Sequence, residues 1–466
     1  MKKTKKNQLK WSALLIVTIL VGVLLILSVA DYLDKNNGLS LGGAIRAEIF
    51  YVVVIFLALF LLLLLLLMFA IRHAQKHQKV QKQQVQVIDE FFSPLSSDNT
   101  EDEIPETAER FCMLSEIDKK SAGYGHQVYE KGITLQSFCE DFRNYAASRL
   151  SLYYDIEDIR RFVAGLAVSK LVILQGMSGT GKTSLAHAFG SFTDNPSTVI
   201  PVQPMWKERT DLIGYYNEFT KRFNESQLLI KMYEANYSKD MYITVLDEMN
   251  IARVEYYFAE FLSLLELPNA SERYIDVVSD KWSTDPQQFK DGRIKLPENM
   301  WFIGTANNDD STFAISDKVY DRAMVLNLDM KSERFAAPAT PKRPISAEQF
   351  VKLVDAAVNE YAVSGRNLRR LEELDKYLIE HFHITFGNRI MKQLRAYIPV
   401  YVSCGGDEIA ALDDILSKKV IRKLETQNPI YLRNSAEGLL AFIDELFGAD
   451  KMPLCKDHIL RMLRNA

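Results

Sequence analysis

The chain has 466 residues, 48% of them hydrophobic and 25% charged, which suits about two or three folded domains and excludes global disorder. Its net charge of −4 is unevenly spread: residues 1–82 hold 11 of 56 Lys/Arg and 3 of 60 Asp/Glu, leaving 45 and 57, a net of −12, in the rest. A body this acidic repels phosphate backbones, so direct nucleic-acid binding is disfavoured. Cys112, Cys139, Cys404 and Cys455 lie far apart without C-x-x-C spacing, a pattern that fits neither zinc site nor disulfide framework and suits a reducing compartment.

Trp11–Ala30 and Ile49–Ile71 are uncharged runs of 20 and 23 residues. At about 1.5 Å per helical residue, each reaches the roughly 30 Å of a bilayer core. Leu61–Leu67 is seven leucines with no polar face, so two transmembrane helices are expected. Lys2, Lys3, Lys5, Lys6 and Lys10 precede the first span and Arg72, Lys76, Lys79 and Lys82 follow the second, whereas the intervening segment carries Lys35 and Arg46. Positive-inside orientation predicts a multi-pass cell-membrane protein with both termini and the body cytoplasmic. Ser28-Val29-Ala30 also resembles a signal-cleavage site, which leaves the fate of the first run open.

The expected organisation is a basic tail (1–10), a transmembrane hairpin (11–71, spans 11–30 and 49–71), a polar and acidic stalk and linker (72–109), a helical preface (110–154), an α/β nucleotide-binding domain (155–335) and a helical lid (345–466). In the preface, apolar periodicity predicts a helix over Leu135–Leu152, and a second over Asp155–Ala167 opens the next domain.

An apolar strand, Leu171–Leu174, then runs into Gly176, Met177, Ser178, Gly179, Thr180, Gly181, Lys182, Thr183 and Ser184, which fills every fixed position of G-x-x-x-x-G-K-[ST]. The glycines let backbone N–H groups curl around phosphate oxygens. Lys182 is a cation for the β/γ-phosphates, Thr183 a hydroxyl for Mg²⁺, and the following helix points its positive end at the anion. The chain is expected to bind a nucleoside triphosphate there.

Thr198–Gln203 is a second strand candidate. Met241–Leu246 is another, ending in Asp247 and Glu248. With the phosphate loop, a strand of this kind from the neighbouring position completes a hydrolytic site: Asp247 for the metal shell and Glu248 as general base for water. Ile251–Leu265 reads as one amphipathic helix burying Phe258, Phe261, Leu262 and Leu265. Met300–Gly304 is a further strand, tipped by Asn307 and Asn308. Either amide could bond both water and γ-phosphate there, and Asn307 is the first choice. Phe335–Pro344 marks a boundary, Ser346 with Gln349 forms a capping box opening a helix over Ala347–Tyr361, and helical patterns continue with turns at Cys404–Gly406 and Phe447–Gly448.

In this order the motifs resemble the AAA+ ATPases. Leu246–Glu266 (LDEMNIARVEYYFAEFLSLLE) and the DLIGY segment within Thr210–Tyr216 resemble the McrB-type and dynein-related (MoxR-like) branch. The resemblance covers residues from about Asp155 onward. It implies an AAA+ P-loop NTPase fold, a three-layer parallel sheet with a C-terminal α-helical lid. It places Lys182 and Thr183 at Walker A, Asp247 and Glu248 at Walker B, and Asn307 at sensor 1. Arg322 takes the arginine-finger position and Arg389 the nucleotide-contacting sensor 2. The McrB-type Met-Asn-x-x-Asp-Arg signature is replaced here by Ala306-Asn307-Asn308-Asp309-Asp310-Ser311, so ATP with Mg²⁺ is expected rather than GTP. Arg322 alone fills a segment that usually holds two or three arginines.

The resemblance also implies self-association into a ring, commonly a hexamer. The expected role is an ATP hydrolase that remodels a protein or complex at the cytoplasmic membrane face. The alternatives are an NTPase subunit of a restriction-like system acting on nucleic acid through a partner, and a nucleotide-gated scaffold.

Overall fold

The computed structural model describes residues 109–121, 128–307, 312–329 and 332–465. Both expected spans, nearly all of the stalk and linker, and Asn308 lie outside the described residues. No helix among the described residues is long and apolar enough to cross a membrane.

The described chain begins with α1 (Met113–Lys120), α2 (Leu135–Leu150) and α3 (Ile156–Val168). Thr134 caps α2 and exchanges bonds with Ser137, and Asp155 caps α3 by accepting from the Glu157 N–H at 2.8 Å. Then follow β1 (Leu171–Gly176), α4 (Lys182–Phe192), β2 (Thr198–Pro201), α5 (Arg209–Ile213), β3 (Gly214–Asn217), β4 (Arg222–Glu225), α6 (Gln227–Ala235) and β5 (Tyr242–Asp247). Next come α7 (Val254–Tyr257), α8 (Ala259–Glu266), β6 (Tyr274–Asp276), β7 (Arg293–Lys295), β8 (Met300–Asn307), α9 (Asp317–Tyr320) and β9 (Met324–Asn327).

Five of these strands form a parallel sheet in the order β2-β5-β8-β1-β9. The inner strands β5, β8 and β1 are apolar along most of their length because both of their faces are covered, whereas the edge strand β2 is largely exposed. Val172, Leu174, Ile243, Val245, Trp301 and Ile303 face a core shared with α2, α3, α4 and the C-terminal helices. Leu171, Ile173, Leu246, Met300 and Phe302 face the core built with α6, α7 and α8. The preface is divided between these layers: α2 belongs to the first core, while Phe111 and Leu114 belong to the second.

Two expectations need correction. The Asp-Glu strand β5 is not next to the phosphate-loop strand β1, because β8 lies between them. Ile251–Leu265 is not one helix. Met249–Ile251 is a 3₁₀ turn, and α7 and α8 are separated at Phe258 (φ −108°, ψ 7°). The Tyr257 hydroxyl donates to the Met249 carbonyl at 2.8 Å, tying α7 to the preceding turn. The apolar pattern did not reveal β9 or the antiparallel pairs β3–β4 and β6–β7, whose paired strands are only three or four residues long.

The remainder is helical: α10 (Ala347–Glu360), α11 (Gly365–Phe382), α12 (Gly387–Ser403), α13 (Glu408–Lys419), α14 (Pro429–Phe447) and α15 (Pro453–Asn465). The Ser346–Gln349 capping box is formed, and α12 and α14 end at the turns read from sequence. Asp414, with its side chain 1% exposed, ties this lid to α3. It pairs with Arg161 at 3.1 Å and Lys418 at 2.6 Å, and accepts from the Tyr397 hydroxyl at 2.6 Å.

Candidate nucleotide site

In a parallel sheet, all strands deliver their C-terminal ends to one edge, and loops there converge. Register places Gly176 of β1 directly beside Asn307 of β8, and Leu246 of β5 beside Gly304. The ends of three adjacent strands therefore present the phosphate loop, Asn307 and the Asp247-Glu248 pair along one edge.

The loop needs its first glycine on two counts. Gly176 has φ +146°, and a Cβ there would lie 2.3 Å from the Leu328 carbonyl oxygen. The buried Lys182 ammonium donates to the carbonyls of Gly176 at 2.9 Å and Met177 at 2.7 Å, folding back along the loop. Met177, Ser178 and Gly179 are exposed, while Thr180, Gly181, Thr183 and Ser184 are half-buried. The Tyr154 hydroxyl donates to the Gly181 carbonyl at 3.1 Å, and burial pushes its pKa well up, so it stays a donor.

Thr183 reaches across to β5: its hydroxyl donates to Asp247 Oδ1 at 2.7 Å. Thr305 of β8 donates to the same oxygen at 2.9 Å, and its hydroxyl accepts from the Glu248 N–H at 2.8 Å. Glu248 itself is exposed and sits at φ 52°, a left-handed conformation that costs a non-glycine residue about 1 kcal/mol or more. The Thr305 bond helps hold it there. The hydroxyl of Thr183 and carboxylate of Asp247 are hard oxygen donors already in contact, a set that suits Mg²⁺ supplemented by phosphate oxygens.

Half-buried Asn307 is held by Asn250, which sequence reasoning missed. Asn250 accepts from the Asn307 N–H at 3.4 Å and donates to the carbonyls of Asn307 at 2.9 Å and Phe313 at 3.3 Å. Its signal was its place two residues after Glu248. At this site Gly304 is also packed closely, since a Cβ there would meet Met249 Sδ at 1.9 Å.

Arg322 and Arg389 are elsewhere. Ser169 Oγ donates to the Arg322 carbonyl at 2.8 Å, at the opposite end of β1 from Gly176. Seven extended residues separate those ends, roughly 20 Å, which no arginine side chain spans. The Arg322 side chain pairs with Glu266 at 3.1 Å, and Arg389 pairs with the other oxygen of the same carboxylate at 2.6 Å. Structure thus joins the two arginines to each other through Glu266, a residue not singled out in the sequence, and places neither at this chain's phosphate loop.

Residues 171–323 match the model of the AAA domain (dynein-related subfamily), and residues 337–466 match a domain of unknown function (DUF8727). Residues 171–323 are an AAA+ P-loop domain. The C-terminal helices α10–α15 fall within the DUF8727 match. No curated protein matches the chain. Among solved structures, a protein from Cytophaga hutchinsonii described as an ATPase aligns over 70% of this chain and 97% of its own at 14% identity and TM-score 0.45. A full-length MCM homolog from Methanopyrus kandleri aligns over 60% of this chain and 58% of its own at 12% identity and TM-score 0.35.

Proposed function

We propose that this chain is a membrane-anchored ATP hydrolase that works as a ring and remodels a protein or complex at the cytoplasmic membrane face. One observation carries the hydrolytic part: the phosphate-loop hydroxyl of Thr183 meets the Asp247 carboxylate at 2.7 Å, with Glu248 next in sequence. In this reading Lys182 and the loop N–H groups bind the triphosphate. Thr183 and Asp247 hold Mg²⁺, which when bound neutralises charge on the phosphate oxygens. Glu248 accepts the proton of the attacking water, and Asn307 orients that water.

Arg322 cannot reach this chain's own phosphates, so its catalytic use is in an adjoining chain, where a guanidinium stabilises the charge of the transferring phosphoryl group. That requirement supports assembly into a ring. The two apolar runs at 11–30 and 49–71 and their basic flanks support the anchor.

The test is phosphate release by the purified full-length chain with Mg-ATP or Mg-GTP, beside Glu248→Gln. Turnover with ATP that is abolished in E248Q, while nucleotide still binds, supports the motor. Nucleotide binding without turnover in the unaltered chain sinks it and leaves a scaffold. A preference for GTP together with salt-sensitive retention on DNA in the presence of a partner would point to the restriction-type alternative.

A further inference from the structure

The backbone around Arg322 is pinned by the lid. The carbonyl of Tyr320 accepts from Lys419 Nζ at 2.7 Å. That of Asp321 accepts from Gln393 Nε2 at 3.1 Å and from Lys419 at 3.5 Å. The carbonyl of Ala323 also accepts from Lys419. The one carbonyl left in this stretch, that of Arg322, is held by Ser169. One turn earlier, Arg422 pairs with Asp317 at 2.7 Å and lies over the Tyr320 ring at 4.1 Å. The grip therefore comes from α12, from the last residue of α13 and from the turn after it.

Lys419 is the unusual member. It is 2% exposed, and its ammonium is spent on three backbone carbonyls, with no carboxylate within ion-pair distance among the described residues. Burying a cation without an ion-pair partner is a poor way to stabilise a helix packing, which an apolar side chain would serve at lower desolvation cost. What an ammonium does provide is a three-pronged hold on carbonyls that end a short helix, where the backbone dipole is negative.

We propose that Lys419 is a positioning residue for Arg322: it fixes the Tyr320–Ala323 backbone so that Arg322 is presented to the site of an adjoining chain, and lid posture in one chain thereby governs hydrolysis in the next. This rests on the reading of Arg322 as a residue acting in trans.

The experiment compares the full-length chain with Lys419→Met, Lys419→Arg and Arg322→Ala. The readouts are turnover at saturating Mg-ATP, affinity for a fluorescent ATP analogue, and amide exchange of peptides covering residues 317–324. K419M should lose tenfold or more in turnover with nucleotide affinity changed less than twofold. Its 317–324 amides should exchange faster, and K419R should retain most of the turnover. Mixing K419M with E248Q should restore turnover, because each E248Q chain offers an intact Arg322 to the intact site of a K419M neighbour.

Unchanged exchange, unchanged turnover in K419M while R322A is inactive, or no restoration on mixing each overturns the role of Lys419 alone. Full turnover in R322A overturns the trans reading and this proposal with it. Should K419M not fold, K419Q, whose neutral amide has two N–H donors in place of the ammonium's three, is held to the same criteria.

Discussion

Asn250 grips Asn307 by both edges of its backbone, accepting from its N–H at 3.4 Å and donating to its carbonyl at 2.9 Å. The same side chain holds the Phe313 carbonyl, and the Phe313 N–H returns a bond to the Asn250 carbonyl at 2.8 Å. Asn250 thus fastens the end of β8 to the turn that carries Glu248. A catalytic amide is useful only where its position is fixed within a fraction of an ångström.

Replacing Asn250 by Asp keeps the acceptor and the shape but puts an oxygen against two carbonyls. Turnover should fall by about 10–100-fold, the scale on which small misplacements of catalytic groups act. Nucleotide affinity should stay close to that of the unaltered chain. Steady-state phosphate release and equilibrium titration check this, and a parallel loss of affinity would show Asn250 to be a folding residue only.

Thr183 and Asp247 make a second prediction. Their 2.7 Å contact brings a hydroxyl and a carboxylate to one point, so removing either should weaken Mg²⁺ rather than the bare triphosphate. In Asp247→Asn the Mg²⁺ concentration for half-maximal turnover should rise by about 10–100-fold, the range typical for losing a partner in a metal site. Thr183→Ala should move it in the same direction. A Mg²⁺ titration decides it, and an unshifted curve in both variants removes the pair from the metal site.

Much of this site could be read before the fold was seen, for a physical reason. A phosphate loop requires particular residue types at fixed local spacing, so Gly176–Ser184 identifies itself, and beside it Asp247 and Glu248, which end a β-branched apolar run, gain their meaning. The supports were not legible. Tyr154 reaches Gly181 across 27 residues, Thr305 reaches Asp247 across 58, and Glu266 meets Arg322 within the α/β domain and Arg389 from the C-terminal helices. Such contacts leave no periodic trace. The arginines show the limit in the other direction, since sequence order suggested their kinds of role but not that Arg322 lies at the far end of β1 from this chain's own phosphate loop or that Arg389 shares Glu266 with it.

The lid's attachment to α3 runs through a buried charge. Asp414 bonds Arg161, Lys418 and Tyr397, and burial holds the Lys418 ammonium below its ordinary pKa despite that carboxylate. Deleting the carboxylate in Asp414→Ala leaves the buried Lys418 ammonium without its ion-pair partner, beside an Arg161 that keeps Asp158 at 3.0 Å. Breaking such a group from one side costs about 3–5 kcal/mol. Asp457→Ala, which removes an exposed partner of Arg461, should cost far less. Urea unfolding of the two variants tests the contrast, and equal midpoints would mean that Asp414 is better solvated than its burial implies.

The last prediction concerns pH and Lys419. Burial is the largest influence on its ammonium, Asp321 partly offsets it, and Arg422, Arg389 and Lys423 add repulsion, so its pKa is pushed down to about 7. The folded value lies below the unfolded one, near 10.4 for a free lysine. From about pH 7 up to that value the unfolded chain binds the extra proton, so this group makes the fold more stable as pH rises. Its hold on the Tyr320–Ala323 carbonyls goes the other way, because a neutral amine has one fewer hydrogen to donate. Turnover per assembled chain should therefore decline as pH rises through about 7, while the unfolding temperature does not decline for this reason. In Lys419→Arg that limb of the profile should be absent, because a guanidinium keeps its charge throughout the range. Parallel pH profiles of turnover and melting for the two chains check it, and an alkaline limb of the same midpoint in both assigns the titration to another group.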